Sequence, residues 1–124
     1  MIYWITGRSS SGKTVYAKRL KKQFEKLGAR VLHLDGDEVR DFNADKNFSD
    51  EARLEHIMRI SFFAALAERQ GLLVIISLLS PKKDWRMKAR KLFDKSMLIY
   101  MPGGFLWEGT EYEEPDHEEM MVEG

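Results

Sequence analysis

The residues best equipped for chemistry come early in the chain. Gly7-Arg8-Ser9-Ser10-Ser11-Gly12-Lys13-Thr14 lies between an apolar run, Ile2 to Ile5, and a helical pattern that begins at Lys13. Gly7 and Gly12 let the backbone turn tightly, so that successive amides point inward at one anion. Lys13 adds a positive charge, and the Thr14 hydroxyl can be placed on magnesium. Because the loop also opens a helix, unpaired amides and the positive end of the helix dipole converge on the same spot. A flexible Gly/Ser linker would explain the small residues. It would not explain the Lys-Thr pair, the strand before it or the helix after it.

A phosphate loop alone serves motors, switches and small-molecule kinases, so a second acidic site must decide between them. Motor ATPases end a core strand in a carboxylate that organises magnesium and water; here the third apolar run ends Ile75-Ile76-Ser77, with no acid. The acids that can face a nucleotide are Asp35 and Asp37, after the second strand. A carboxylate there can hold magnesium through water or take the proton of an attacking hydroxyl, which favours phosphoryl transfer to an alcohol. Arg40, three residues after Asp37, turns a cation towards the same cleft on a short helix and implies an anionic acceptor.

From Asp35-Gly36-Asp37-Glu38-Val39-Arg40 onward the chain resembles the adenylyl-sulfate kinase family. The similar features are the phosphate loop, that Asp-Gly-Asp segment, Asn47-Phe48-Ser49 with Arg53 following, and Ser77-Leu78-Leu79-Ser80-Pro81. They span roughly residues 1–100 in the family's order. The resemblance implies transfer of the ATP γ-phosphoryl to the 3′-hydroxyl of adenylyl sulfate, with ATP and Mg2+ as cofactors. It implies that Gly7, Arg8, Ser9, Ser10, Ser11, Gly12, Lys13 and Thr14 hold the ATP phosphates and that Lys13 and Asp37 act in catalysis. Thr14 and Asp37 would serve magnesium. Arg40 and Arg53 would hold the phosphosulfate anion, for which forked guanidinium donors suit clustered oxygens. Phe48 and Trp107 would stack on the two faces of the substrate base, and Ser77 and His56 occupy further substrate-side positions. Ser80 matches a serine described in the family as a phosphoserine intermediate, although a turn serine before Pro81 is the simpler reading.

The chain departs from the family in three places. Asn47 and His56 replace a glycine and an asparagine. After Met101 the sequence runs directly to Phe105-Leu106-Trp107 and Tyr112-Glu113-Glu114-Pro115, where the family carries a further helix and a basic lid. Two other readings therefore stay open: a kinase for another small hydroxyl compound, and a nucleotide-binding protein without useful catalysis.

The elements that must position these residues follow from periodicity. Runs at 2–6, 30–34 (Arg-Val-Leu-His-Leu), 72–77 and 97–101 predict four parallel strands, the first continuously apolar up to Thr6 and the third central and buried. Between them lie helical patterns at 13–27, ended by Gly28, at 50–70, capped by Ser49 and ended by Gly71, and at about 82–93. The apolar face of the second is read as Leu54, Ile57, Met58, Phe62, Ala65 and Leu66. Strand-helix alternation predicts right-handed crossovers and a three-layer α/β/α domain over residues 1–115. Residues 41–48 read as a loop, 105–115 as an ordered loop and 116–124 as an acidic, frayed tail.

Composition sets the outer limits. The chain has 124 residues, no cysteine and a net charge of zero, which suits one domain without disulfides or thiolate chemistry. All Lys and Arg lie in residues 1–101, giving that part +8 and residues 102–124 −8. Lys82, Lys83, Arg86, Lys88, Arg90 and Lys91 read as a solvated face rather than a nucleic-acid surface, with the acidic tail able to fold over it. No apolar run is long enough to span a bilayer. The expected setting is cytoplasmic, with no membrane or nucleic-acid partner and a homodimer implied by the resemblance.

Overall fold

The computed structural model describes residues 1–42, 49–106 and 111–121, with the backbone alone for residues 40–42. Its elements run β1 (Ile2–Gly7), α1 (Lys13–Lys26), β2 (Val31–Asp35), α2 (Gly36–Phe42), α3 (Asp50–Arg69), β3 (Leu73–Ser77), α4 (Lys83–Arg90), β4 (Ser96–Met101) and α5 (His117–Met120). The strands form one parallel sheet in the order β2-β3-β1-β4. The chain steps out from β1 to the edge, returns beside it and crosses to the other side. The carboxyl ends of β2, β3 and β1 thus open onto the point where strand order reverses, where ligands of open α/β sheets collect.

Both faces of the sheet are covered, which is why its strands are largely apolar. Ile5 and Ile75 point to the α1 side and pack with Ala17, Leu20 and Phe24. Ile2, Trp4, Val74 and Ile76 point the other way, onto Ile57, Ile60 and Ala64 of α3 and Ala89 of α4. Ser49 caps α3 by accepting from the Ala52 amide at 3.2 Å. Among the described residues no helix is long and apolar enough to cross a membrane.

Three expectations need correction. Phe62 and Leu66 of α3 are 54% and 37% exposed. Ile57 and Ala65 are buried as expected, and the buried face continues through Ile60, Ser61 and Ala64. Ser61 is tolerated there because its hydroxyl donates to the Ile57 carbonyl at 2.7 Å. Secondly, Arg86 and Arg90 are buried rather than solvated. Thirdly, fraying from 116 does not describe residues 116–121: Asp116 caps α5 and the Glu119 side chain is buried against Arg86. A charged side chain enters a core only with a partner, and here the basic helix and the acidic tail supply one another's.

Candidate active site

The phosphate loop leaves β1 at Gly7 and enters α1 through Gly12, whose φ of 92° is left-handed, a conformation that glycine adopts without cost. A Cβ on Gly7 would come within 2.6 Å of the Met101 carbonyl oxygen, so only glycine lets the loop start against β4. The loop is fastened to the chain after β4 by the Phe105 amide, which donates to the Ser9 carbonyl at 2.9 Å. Lys13 folds back over the turn, its Nζ donating to the carbonyls of Gly7 at 3.0 Å and Arg8 at 2.7 Å. Ser11 Oγ is buried with no hydrogen-bond partner among the described residues. A cation seated on carbonyls and an unsatisfied hydroxyl fit a cradle that accepts phosphate oxygens.

Asp35 ends β2 beside this loop. Its Oδ2 accepts from Thr14 Oγ1 at 2.6 Å and from Ser77 Oγ at 3.3 Å, and its Oδ1 accepts from the Asp37 amide at 3.0 Å. Burial alone would raise its pKa, but the Thr14 hydroxyl and the Asp37 and Glu38 amides hold it below the ordinary carboxylate value. Asp37 stands on the first turn of α2 with its side chain exposed. Burial pushes the Lys13 ammonium down, and the negative charges of Asp37 and Asp35 pull it back up. One cation and two carboxylates therefore share the mouth of the loop.

A separate cleft of about 270 Å³ is lined by Asp50, Arg53, Pro81, Lys82 and Glu111. Arg53, which the resemblance gives an anion-holding role, lines this cleft. Other positions singled out from the sequence face elsewhere. His56 is buried, with Nε2 donating to the Gly36 carbonyl at 3.0 Å, so it joins α3 to α2 instead of lining the cleft. Ser77 turns to Asp35 and lies 2.7 Å from His33 Nε2. Ser80 is fully buried: its Oγ accepts from Trp4 Nε1 at 3.0 Å, shares a hydrogen bond with Thr6 at 2.9 Å and donates to the Leu78 carbonyl at 3.3 Å. A hydroxyl so occupied is a fastening between β1 and the turn, and the covalent role attached to it by resemblance does not suit this packing. Phe48, Trp107 and Asn47 fall outside the described residues, as does the side chain of Arg40.

A sequence model described as adenylylsulphate kinase matches residues 1–104. The chain belongs to the adenylylsulphate kinase family. It is 40% identical over 100 residues to a probable adenylyl-sulfate kinase of Archaeoglobus fulgidus, covering 80% of this chain and 64% of that protein. It is also 40% identical over 99 residues to the adenylyl-sulfate kinase of Burkholderia ambifaria, covering 79% and 55%. Among solved structures, the Mycobacterium tuberculosis APS kinase CysC, in complex with AMPPNP and APS, superposes with a TM-score of 0.76 at 33% identity, covering 82% of this chain and 61% of that one. The chain thus spans between half and two thirds of the length of these relatives.

In this member of the adenylylsulphate kinase family, residues 111–116 lie as a strap across the carboxyl edge of the sheet, a feature the aperiodic sequence did not disclose. Tyr112 Oη meets Thr6 Oγ1 at 2.9 Å, and its ring stacks on Tyr100 with centroids 6.1 Å apart. Arg8 of the phosphate loop turns towards the strap, with Nη1 donating to Tyr100 Oη at 2.7 Å and Nη2 to Glu114 at 2.9 Å. Its guanidinium also sits 5.0 Å from the Tyr112 ring centre. The strap is read from the contacts alone: only the pairing of an acidic-aromatic tail with a basic body hinted at it.

Proposed function

We propose that this protein transfers the γ-phosphoryl of ATP to the 3′-hydroxyl of adenylyl sulfate. The observation that carries the reading is the convergence of Lys13, Asp35 and Asp37 at the mouth of the phosphate loop. The family and the relatives' names supply the substrates, and the M. tuberculosis complex supports the pairing of an ATP analogue with APS on this fold.

In this reading the amides of residues 8–14 and the Lys13 ammonium bind the β- and γ-phosphates. Thr14 and Asp35 carry the hard oxygens that would hold a magnesium ion, which when bound would supply neutralisation of the charge that develops in transfer. Among the described residues no three His, Cys, Asp or Glu side chains cluster as a metal cage, and magnesium in kinases leans on substrate phosphates with only one or two carboxylates. Asp37, whose side chain is exposed, accepts the proton of the attacking hydroxyl. Arg53, with Arg40, holds the acceptor's anionic group. Positioning then supplies much of the rate, since well-oriented groups are worth up to about 7–11 kcal/mol of barrier.

The test mixes purified protein with magnesium, ATP and adenylyl sulfate and follows the 3′-phosphorylated product. Lys13→Ala should abolish product, and Asp37→Asn should lose product while retaining ATP binding. Wild-type turnover by Lys13→Ala would sink the assignment. A second reading, a kinase for another small hydroxyl compound, is favoured by Glu111, which lines the cleft with Arg53 and Lys82 and reduces its positive charge. ATP binding without product from adenylyl sulfate, but with product from another alcohol, selects that reading.

A further inference from the structure

We propose that His33 is a positioning residue for the phosphate-loop threonine, the outermost donor in a hydrogen-bond chain that runs through Ser77 and Asp35 to Thr14. The inference rests on the reading of the phosphate loop as a magnesium-ATP site and adds to it a residue that neither the motif nor the resemblance marks.

Parallel register places the members side by side. His33 pairs with Ile75 and Asp35 with Ser77 along β2 and β3; His33 and Asp35, two apart on one strand, share a face of the sheet. Ser77 Oγ lies 2.7 Å from His33 Nε2 and 3.3 Å from Asp35 Oδ2, and the same Oδ2 accepts from Thr14 Oγ1 at 2.6 Å.

Counting protons gives the chain a direction. An ionised carboxylate only accepts, whereas each hydroxyl has a single proton to donate. Asp35 is 8% and Ser77 3% exposed, which leaves water little access to intervene. If Ser77 spent its proton on His33, two bare oxygens would face each other at 3.3 Å inside the sheet edge; an unmatched pair of acceptors there is unfavourable. Ser77 therefore donates to Asp35 and accepts from His33, so that His33 carries its proton on Nε2. Thr14 likewise commits its proton to Asp35, which leaves the lone pairs of its oxygen directed to the loop mouth, where a magnesium ion would bind. A polar residue between Leu32 and Leu34, in the apolar part of β2, has this function to explain it. The charged neighbours of the ring are Asp35 on its own strand, Lys18 and Lys21 of α1 and Glu38 of α2.

Two measurements test the proposal. Long-range proton-nitrogen correlation spectra of the wild-type protein at alkaline pH should show the Nε2-protonated tautomer for His33; the Nδ1-protonated form overturns the chain outright. Separately, ATP affinity is measured with magnesium and with a chelator for wild type, His33→Leu and His33→Gln. Loss of one modest hydrogen bond predicts that His33→Leu weakens magnesium-ATP binding by about two- to tenfold and leaves metal-free ATP binding unchanged. His33→Gln, whose amide can donate from nearly the same place, should behave as wild type. An equal loss with and without magnesium marks a merely structural histidine and overturns the proposal, as does a glutamine variant as weak as leucine. Wild-type protein that binds no ATP overturns the nucleotide site itself, a failure distinct from wild-type affinity in His33→Leu, which overturns only the role of His33.

Discussion

Asp35 and Asp37 are two residues apart and differ in every physical respect that bears on their work. Asp35 is buried with both oxygens satisfied, whereas the Asp37 side chain is exposed. Asp35→Ala strands the Thr14 and Ser77 hydroxyls and the amide that opens α2. It should cost about 1–3 kcal/mol of stability, as expected for buried polar groups left without partners, while Asp37→Ala should stay within about 0.5 kcal/mol of wild type. Urea unfolding compares the two, and equal losses would contradict the division of labour. The pH dependence has a definite sign. The folded-state pKa of Asp35 is depressed, so its contribution is present above the unfolded-state value and is lost as pH falls through the folded one. Asp35→Asn should therefore flatten the acid limb of the stability profile. The loop from Gly7 to Thr14 was legible in the sequence because its chemistry is local, a matter of spacing along eight residues. The partnership of Thr14 with Asp35 was not, because the parallel register of non-consecutive strands creates it. His56 misled for the same reason: its matching position suggested substrate, but helix packing aims it at Gly36.

At the scale of elements, the pairing of α4 with the strap and α5 sets the energetics of the carboxyl end. Arg86 Nε donates to Glu119 Oε1 at 2.5 Å, and its other nitrogens donate to the Ser80 carbonyl at 2.6 Å and the Glu113 carbonyl at 2.7 Å. Arg90 donates to Ser96 Oγ at 3.0 Å and to the carbonyls of Glu119 and Met121. A buried guanidinium satisfied in this way is costly to disturb from one side only. Glu119→Ala leaves Arg86 buried and uncompensated, and should cost about 3–5 kcal/mol. By contrast, Lys83→Ala removes only an exposed pair with Asp116, worth at most about 1 kcal/mol. Denaturant midpoints of the two variants would separate a structural clasp from incidental surface pairing; similar midpoints would dismiss the clasp. The sequence displayed α4 as a run of cations with a few apolar positions, and periodicity alone assigned Arg86 and Arg90 to water. What buries them is a segment about 30 residues downstream with no period of its own, a contact of the kind that pattern along one helix cannot register. The same limit explains Phe62 and Leu66, since hydrophobicity ranks side chains but the closeness of helix and sheet chooses alanines.

For the whole molecule, the candidate site and the fold's stability are joined at β1. Trp4 and Thr6 meet Ser80 and Tyr112, and the next residues of the chain are the phosphate loop, whose Arg8 is held by Tyr100 and Glu114. The carboxyl edge of the sheet is therefore knit from both ends of the described chain, with the loop as the part that still has binding capacity to satisfy. A ligand that binds the folded state alone stabilises it by about 2.7 kcal/mol when present at a hundredfold excess over its dissociation constant. In a chain of 124 residues that increment raises the melting temperature on the order of 10 °C. Magnesium-ATP should produce such a shift in the wild-type protein. In Lys13→Ala the ammonium that spans Gly7 and Arg8 is gone, the phosphates lose their cation, and the shift should nearly vanish even though the unliganded variant melts close to wild type. Differential scanning calorimetry distinguishes this from a loop that is merely structural: a Lys13→Ala protein that melts much lower without ligand, yet gains the full increment from magnesium-ATP, would place the lysine in the fold and remove it from the nucleotide site.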